Sequence, residues 1–125
     1  MASSQFNVHE QKINLTVTTG SSLYHIDSSK AYRHGNHIHA EVAGTYTGAD
    51  TTGATGIPFF TLNGIKAPSS NEIVGTVIIS DTNSNPKYVS PTYTSLHTNG
   101  YFYEHFTNNL KQNNTVSFIV DYIES

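Results

Sequence analysis

Cysteine is absent from this 125-residue chain, which excludes a disulfide framework, a thiolate metal site and a cysteine nucleophile. Charge is scarce as well: 12% of the residues are Asp, Glu, Lys or Arg, about half the usual share of a soluble domain. Lys and Arg together number six, Arg33 is the one arginine, and the net charge is -3, so no basic patch is available for nucleic acid. No apolar run approaches the ~20 residues of a membrane span. The opening Met1-Ala2-Ser3-Ser4-Gln5 has neither the basic nor the apolar segment of a secretion signal. The expectation is a protein made in the cytoplasm, without membrane insertion, which leaves open action outside the cell as part of a particle.

What replaces charge is neutral polarity. Ser, Thr and Asn supply 42 of the 125 residues. Such a surface hydrogen-bonds well and repels little, which suits neutral polar ligands such as sugars and also suits assembly. A small extracellular protein without disulfides needs another source of stability, and oligomerisation is the usual one.

Helical periodicity with start and stop signals is missing too. Period-two alternation takes its place. Lys12 to Thr19 alternates Ile13, Leu15 and Val17 against Asn14, Thr16 and Thr18, and reads as one half-buried strand closed by Gly20. Short strands are expected at Leu23 to Ile26 and Lys30 to Arg33. Thr47 to Gly56 is a loop of small polar residues and a candidate contact loop. Further strands are expected at Ile57 to Leu62, at Ile73 to Ile79 (apolar on both faces and therefore central and covered on both sides), and at Lys87 to Thr94, interrupted by Pro91. Gly100 to Phe106 and Thr115 to Ile123 complete the set. Eight or nine short strands without significant helix imply an all-β fold, an antiparallel β-sandwich or jelly-roll-like barrel. One domain is expected over residues 12–125, preceded by an N-terminal arm at 1–11.

Three of the seven histidines fall within six residues, at His34, His37 and His39. The Gly35-Asn36 pair is a tight turn, and the strand leaving it sends Ile38, Ala40, Val42 and Gly44 to one face and His37, His39 and Glu41 to the other. Two imidazoles in a row are partial metal ligands, since zinc takes three or four. The plainer reading is a solvated strand face or a polar subunit contact. A divalent metal enters only if three chains bring His37 and His39 to a common axis, where six nitrogens would complete an octahedral shell. His37-x-His39 also suggests a cupin-type metal enzyme. In that case Glu41 would have to stand four or five residues past His39 instead of two, and His105, four before Asn109, lacks the surrounding glycine frame.

A nucleophilic triad is unsupported, because no Gly-x-Ser-x-Gly elbow is present. Paired carboxylates for glycoside hydrolysis have no positive signal among nine acids. The second constellation is aromatic. Tyr88, Tyr93, His97, Tyr101, Tyr103, Glu104 and His105 fall within eighteen residues. A flat ring covers the apolar face of a pyranose while neighbouring polar groups meet its hydroxyls. The competing reading places half of these rings in the core or a subunit contact. Phe102 and Phe106 share a face and are expected in the core, which leaves Tyr101, Tyr103 and His105 outward.

The order Ala31-Tyr32-Arg33-His34-Gly35-Asn36-His37-Ile38-His39, then Ile57-Pro58-Phe59-Phe60-Thr61-Leu62, Val74-Gly75-Thr76-Val77-Ile78-Ile79 and Val116-Ser117-Phe118-Ile119-Val120 resembles the C-terminal receptor-binding domain of tail-fibre and baseplate proteins from phages of Gram-positive bacteria. The sequence departs from that pattern after Leu62, where Asn63-Gly64-Ile65-Lys66-Ala67-Pro68 replaces the family's Leu-Pro-x-Gly stretch. The resemblance implies a non-catalytic head at a virion's tail tip, trimeric and held among other tail proteins. Its implied ligand is a host surface polysaccharide or teichoic-acid-like glycan. The expected ligand-binding residues are Tyr101, Tyr103, His105, Tyr93, His97 and Glu104, with no cofactor required. A purely structural trimerisation or docking module is the alternative.

Overall fold

A computed structural model describes residues 11–51, 57–65, 73–81, 83, 85–94, 101–104 and 110–124, without the side chains of 93, 94, 103 and 104. All of the regular structure in it is β. Nine strands run in chain order: β1 (Lys12–Asn14), β2 (Val17–Thr19), β3 (Tyr24–His34), β4 (His37–Tyr46), β5 (Phe60–Leu62), β6 (Ile73–Ser80), β7 (Pro86–Thr94), β8 (Tyr101–Glu104) and β9 (Thr115–Ile123). They pair antiparallel in the order β1-β3-β4-β9-β6-β7-β8-β5-β2. The order folds over on itself, so that rings from the β5 and β8 side meet rings of β3 and β9. Phe60 stacks on Phe102 at 4.7 Å and sets its edge against Phe118 at 5.1 Å; Phe59 meets Tyr24 at 5.0 Å and Phe118 at 5.2 Å. This is the expected all-β antiparallel sandwich.

The alternation read from β4 and β9 is what builds the core. Ile38, Ala40, Val42 and Tyr46 on β4, and Val116, Phe118 and Val120 on β9, are buried on the inner side. Removing that much apolar area from water is the main stabilising term, at about 25 cal/mol per Å². Gly35, at φ 63°, makes the β3–β4 turn, where a side chain would be strained. Gly75 has a different reason: a Cβ there would lie 1.9 Å from the Ile119 carbonyl oxygen, so only glycine lets β6 lie this close to β9.

Four expectations change. Lys12 to Thr19 is two strands at opposite ends of the pairing order, because after the Leu15 N–H reaches the Ala31 carbonyl (3.0 Å) the chain crosses to the far edge. The two short strands before the histidines are one eleven-residue strand with an irregularity between Ile26 and Ser28. Pro91 does not interrupt β7, and pairs with Thr76 in register. Finally, β6 is covered on one side only: Val74, Val77 and Ile79 are buried, Ile78 is half-buried and Ile73 is exposed.

Candidate functional site

The outer face of the sheet carries the histidine strip where the alternation placed it. Register sets Tyr32 of β3, His39 of β4 and Asp121 of β9 side by side across three strands, with His34 opposite His37 one step along. Asp121 joins the two imidazoles: its Oδ1 contacts His37 Nε2, and its Oδ2 accepts from His39 Nδ1 at 3.1 Å. The other ring nitrogen of His39, Nε2, lies 2.9 Å from Glu41 Oε2. Both nitrogens of one ring therefore face carboxylate oxygens. A neutral imidazole has a single N–H, whereas the imidazolium donates from both, so the arrangement suits protonated His39.

The electrostatics agree with that reading. The hydrogen bond to Glu41, and after it the one to Asp121, raises the His39 pKa above its ordinary 6.5, against an opposing contribution from burial. The Asp121 carboxyl is held below its usual value, first by His37 and then by His39. Glu41 is lowered chiefly by His39. Beyond His39, the Tyr32 ring sits 5.2 Å from the imidazole, and Lys12 Nζ lies 4.2 Å from the Tyr32 centroid, a cation–π contact. The strip is thus a chain of partnered polar groups. His37 and His39 both contact carboxylates within the protomer, and among the described residues no group of three or more His, Asp or Glu is arranged to hold a metal ion.

Asp121 is the member that sequence reasoning missed. It lies 82 residues from His39, and its position on β9, outward between Val120 and Tyr122, was the one available signal. Nearby, Arg33 pairs with Glu124 (Nη2 to Oε2 3.2 Å) and also donates to the Gly64 carbonyl, tying β3, the β5 turn and the C-terminal strand together. Burial, with Glu124 second, pushes the Tyr122 hydroxyl up to about 12.

The six expected ligand residues divide. His97 and His105 lie outside the described residues, as does Phe106. The backbone pairs Tyr93 of β7 with Tyr103 of β8 in register, and Thr92 with Glu104. Tyr101, two residues along β8 from Tyr103, is half-buried and pairs with Thr61. Phe102 between them is fully buried, as expected.

Depressions on the described surface include the following. One of about 300 Å³ combines Tyr88 with Asp81, Lys87, Lys111 and Asn114 near the β6–β7 turn. A second, of about 310 Å³, lies at the β1–β3 edge among Lys12, Asn14, Ser29, Lys30 and Tyr32. A third, of about 250 Å³, is a shallow trough over Ser28, Ala43 and Ser117, bordered by Glu41 and Ile119. The same outer face also carries exposed apolar side chains among its polar ones: Ile119 is 50% exposed, Ile123 68% and Val89 67%. Compared with family models, curated proteins and solved structures, the chain matches none.

Proposed function

We propose that this chain is a non-catalytic receptor-binding domain of the phage tail-fibre or baseplate kind, which recognises a host cell-wall saccharide and acts as a homotrimer at the tail tip. The observation that carries the reading is the β7–β8 register. It sets Tyr93 opposite Tyr103 and leaves Tyr101 two residues along the same strand. Tyrosines on paired strands suit sugar recognition, since each ring offers an apolar face and each hydroxyl a polar tip. The low charge and the wealth of Ser, Thr and Asn favour binding by stacking and hydrogen bonds over ionic capture.

A glycan array and a pull-down on host cell walls, run with Tyr103→Ala and His105→Ala, test this reading. Wild type is expected to bind, and each variant to lose roughly tenfold in affinity, the usual size of a central aromatic contact. Retention of full binding by both variants overturns the assignment of the site.

A second reading, a structural trimerisation or docking module without a sugar site, is favoured by the exposed Ile119, Ile123 and Val89 on the outer face. It predicts a stable oligomer with no glycan binding to lose. The cupin-type alternative would need His105 as a further ligand, a residue outside the described set. Stoichiometric metal in the purified protein tests it: one metal per chain points to an enzyme, one per three chains to a fibre axis through His37 and His39, and none removes both.

A further inference from the structure

We infer that the cleft at the β1–β3 edge is a second binding site, one that takes a small anionic substituent, a phosphate or a carboxylate, carried on a polyol or sugar. The cleft opens where the chain leaves β3. Pairing of β1 with β3 ends with Asn14 opposite Tyr32 and the Leu15 N–H on the Ala31 carbonyl, and the chain then departs for β2 at the other end of the pairing order. What remains is a hollow of about 310 Å³, the volume of a small ligand pocket.

The chemistry of its wall is selective. Two of the chain's five lysines, Lys12 and Lys30, line it, together with the amide of Asn14, the hydroxyl of Ser29 and the ring of Tyr32. Among the described residues no carboxylate lines it. Among the described residues the acid nearest in register is Glu41, opposite Lys30; its carboxylate is hydrogen-bonded to His39 and feels the Lys30 charge only as a lesser contribution. In a protein of net charge -3 with six Lys and Arg in all, two cations on one hollow whose described wall holds no acid are a local reversal of sign. Lys12 is held in place by the Tyr32 ring at 4.2 Å, and that ring is backed in turn by His39. The lysines supply charge-assisted donors for an anion, Asn14 and Ser29 supply neutral hydrogen bonds, and Tyr32 offers apolar area to the carbon skeleton behind the anion. The cleft at Tyr88 also has two lysines, but they face Asp81 (3.7 Å) and Asp50 (3.8 Å), so it carries no comparable excess of positive charge.

This inference rests on the saccharide reading only for the carrier of the anion; the site itself is tested without it. Isotope-labelled protein is titrated with inorganic phosphate, glycerol 3-phosphate and glucuronate, with glucose as the uncharged control, and amide shifts are followed. The expected result is saturable shifts at Lys12, Asn14 and residues 29–32 with the anions and none there with glucose. K12Q/K30Q should weaken binding at least tenfold, while K87Q/K111Q, which changes net charge equally, leaves it unchanged. Native amide spectra show that each variant is folded. A preference for glycerol 3-phosphate identifies phosphate as the substituent and a preference for glucuronate identifies a carboxylate, and both support the site. Absence of shifts at tens of millimolar, or equal weakening by the two double variants, overturns it. Loss of wall-polysaccharide binding in K12Q/K30Q with Tyr93 and Tyr103 intact would join the two sites on one ligand. Anion binding in a protein that ignores every glycan would overturn the saccharide reading and leave this one standing.

Discussion

Protonated His39, clasped between Asp121 and Glu41, makes stability depend on pH with a definite sign. The His39 pKa is raised in the fold, so its contribution is fully present below about pH 6.5 and is lost as pH rises through the folded value. The Asp121 pKa is lowered, so its contribution is present above its ordinary value of 3.8 and is lost as pH falls through the folded value. The strip therefore stabilises most between about pH 4 and pH 6.5. His39 is largely shielded, with 17% of its side chain exposed, but Asp121 is 54% exposed and open to screening. Charge-assisted hydrogen bonds contribute about 1.5–3 kcal/mol when well shielded, and exposed pairs well under 1, so about 1 kcal/mol is expected for His39 between pH 5.5 and pH 8. One proton also limits the slope to about 1.4 kcal/mol per pH unit. With a urea dependence of about 2 kcal/mol per molar, the wild-type midpoint should fall by roughly 0.5 M from pH 5.5 to pH 8.0. His39→Gln should remove most of that fall while leaving the pH 8.0 midpoint nearly unchanged. A wild-type midpoint at pH 8.0 equal to or above that at pH 5.5, or a full pH dependence surviving in His39→Gln, would refute the reasoning.

Other outcomes follow from single contacts. The Thr92 hydroxyl is fully buried and finds no hydrogen-bond partner among the described residues, so Thr92→Val should stabilise by about 1 kcal/mol, read as a rise of a few degrees in Tm. Gly75→Ala drives a methyl group into the Ile119 carbonyl; a loss of about 2 kcal/mol or more in urea unfolding is expected, and a neutral result would mean that β6 and β9 are farther apart than described. Phe118→Ala removes the ring that Phe59 and Phe60 share across the two layers and should cost about 3–5 kcal/mol by the same assay.

The parts of the fold that were legible are those where one rule acts alone. On β4 and β9 strict alternation gave the buried face, down to Val116, Phe118 and Val120, and on β9 the bounds as well. On β3 the polar run Asp27-Ser28-Ser29-Lys30 and the irregularity beside Asp27 break the alternation, so one long strand read as two. Lys12 to Thr19 shows the opposite error, because alternation continues through a crossover that no residue of the segment announces. On β6 Val74 and Ile78 against Ile73, Val77 and Ile79 suggested cover on both sides, whereas Ile78 is only half-buried and Ile73 is exposed. The histidine row was readable, since it needs only the period of one strand. Its partner Asp121 was not, because alternation assigns a residue to a face without saying which strand lies alongside. The same holds for the β1–β3 cleft, whose lysines are eighteen positions apart in sequence.

The most direct test of the proposed function is a calorimetric titration of purified host-wall polysaccharide into wild type and into Tyr93→Ala/Tyr103→Ala, with the oligomeric state of both measured in the same buffer. The account predicts saturable binding by a wild-type trimer and loss of that binding in a variant that remains folded and trimeric. Undiminished binding by the variant, or a wild type that is a 13.7 kDa monomer without affinity for the polysaccharide, would contradict it.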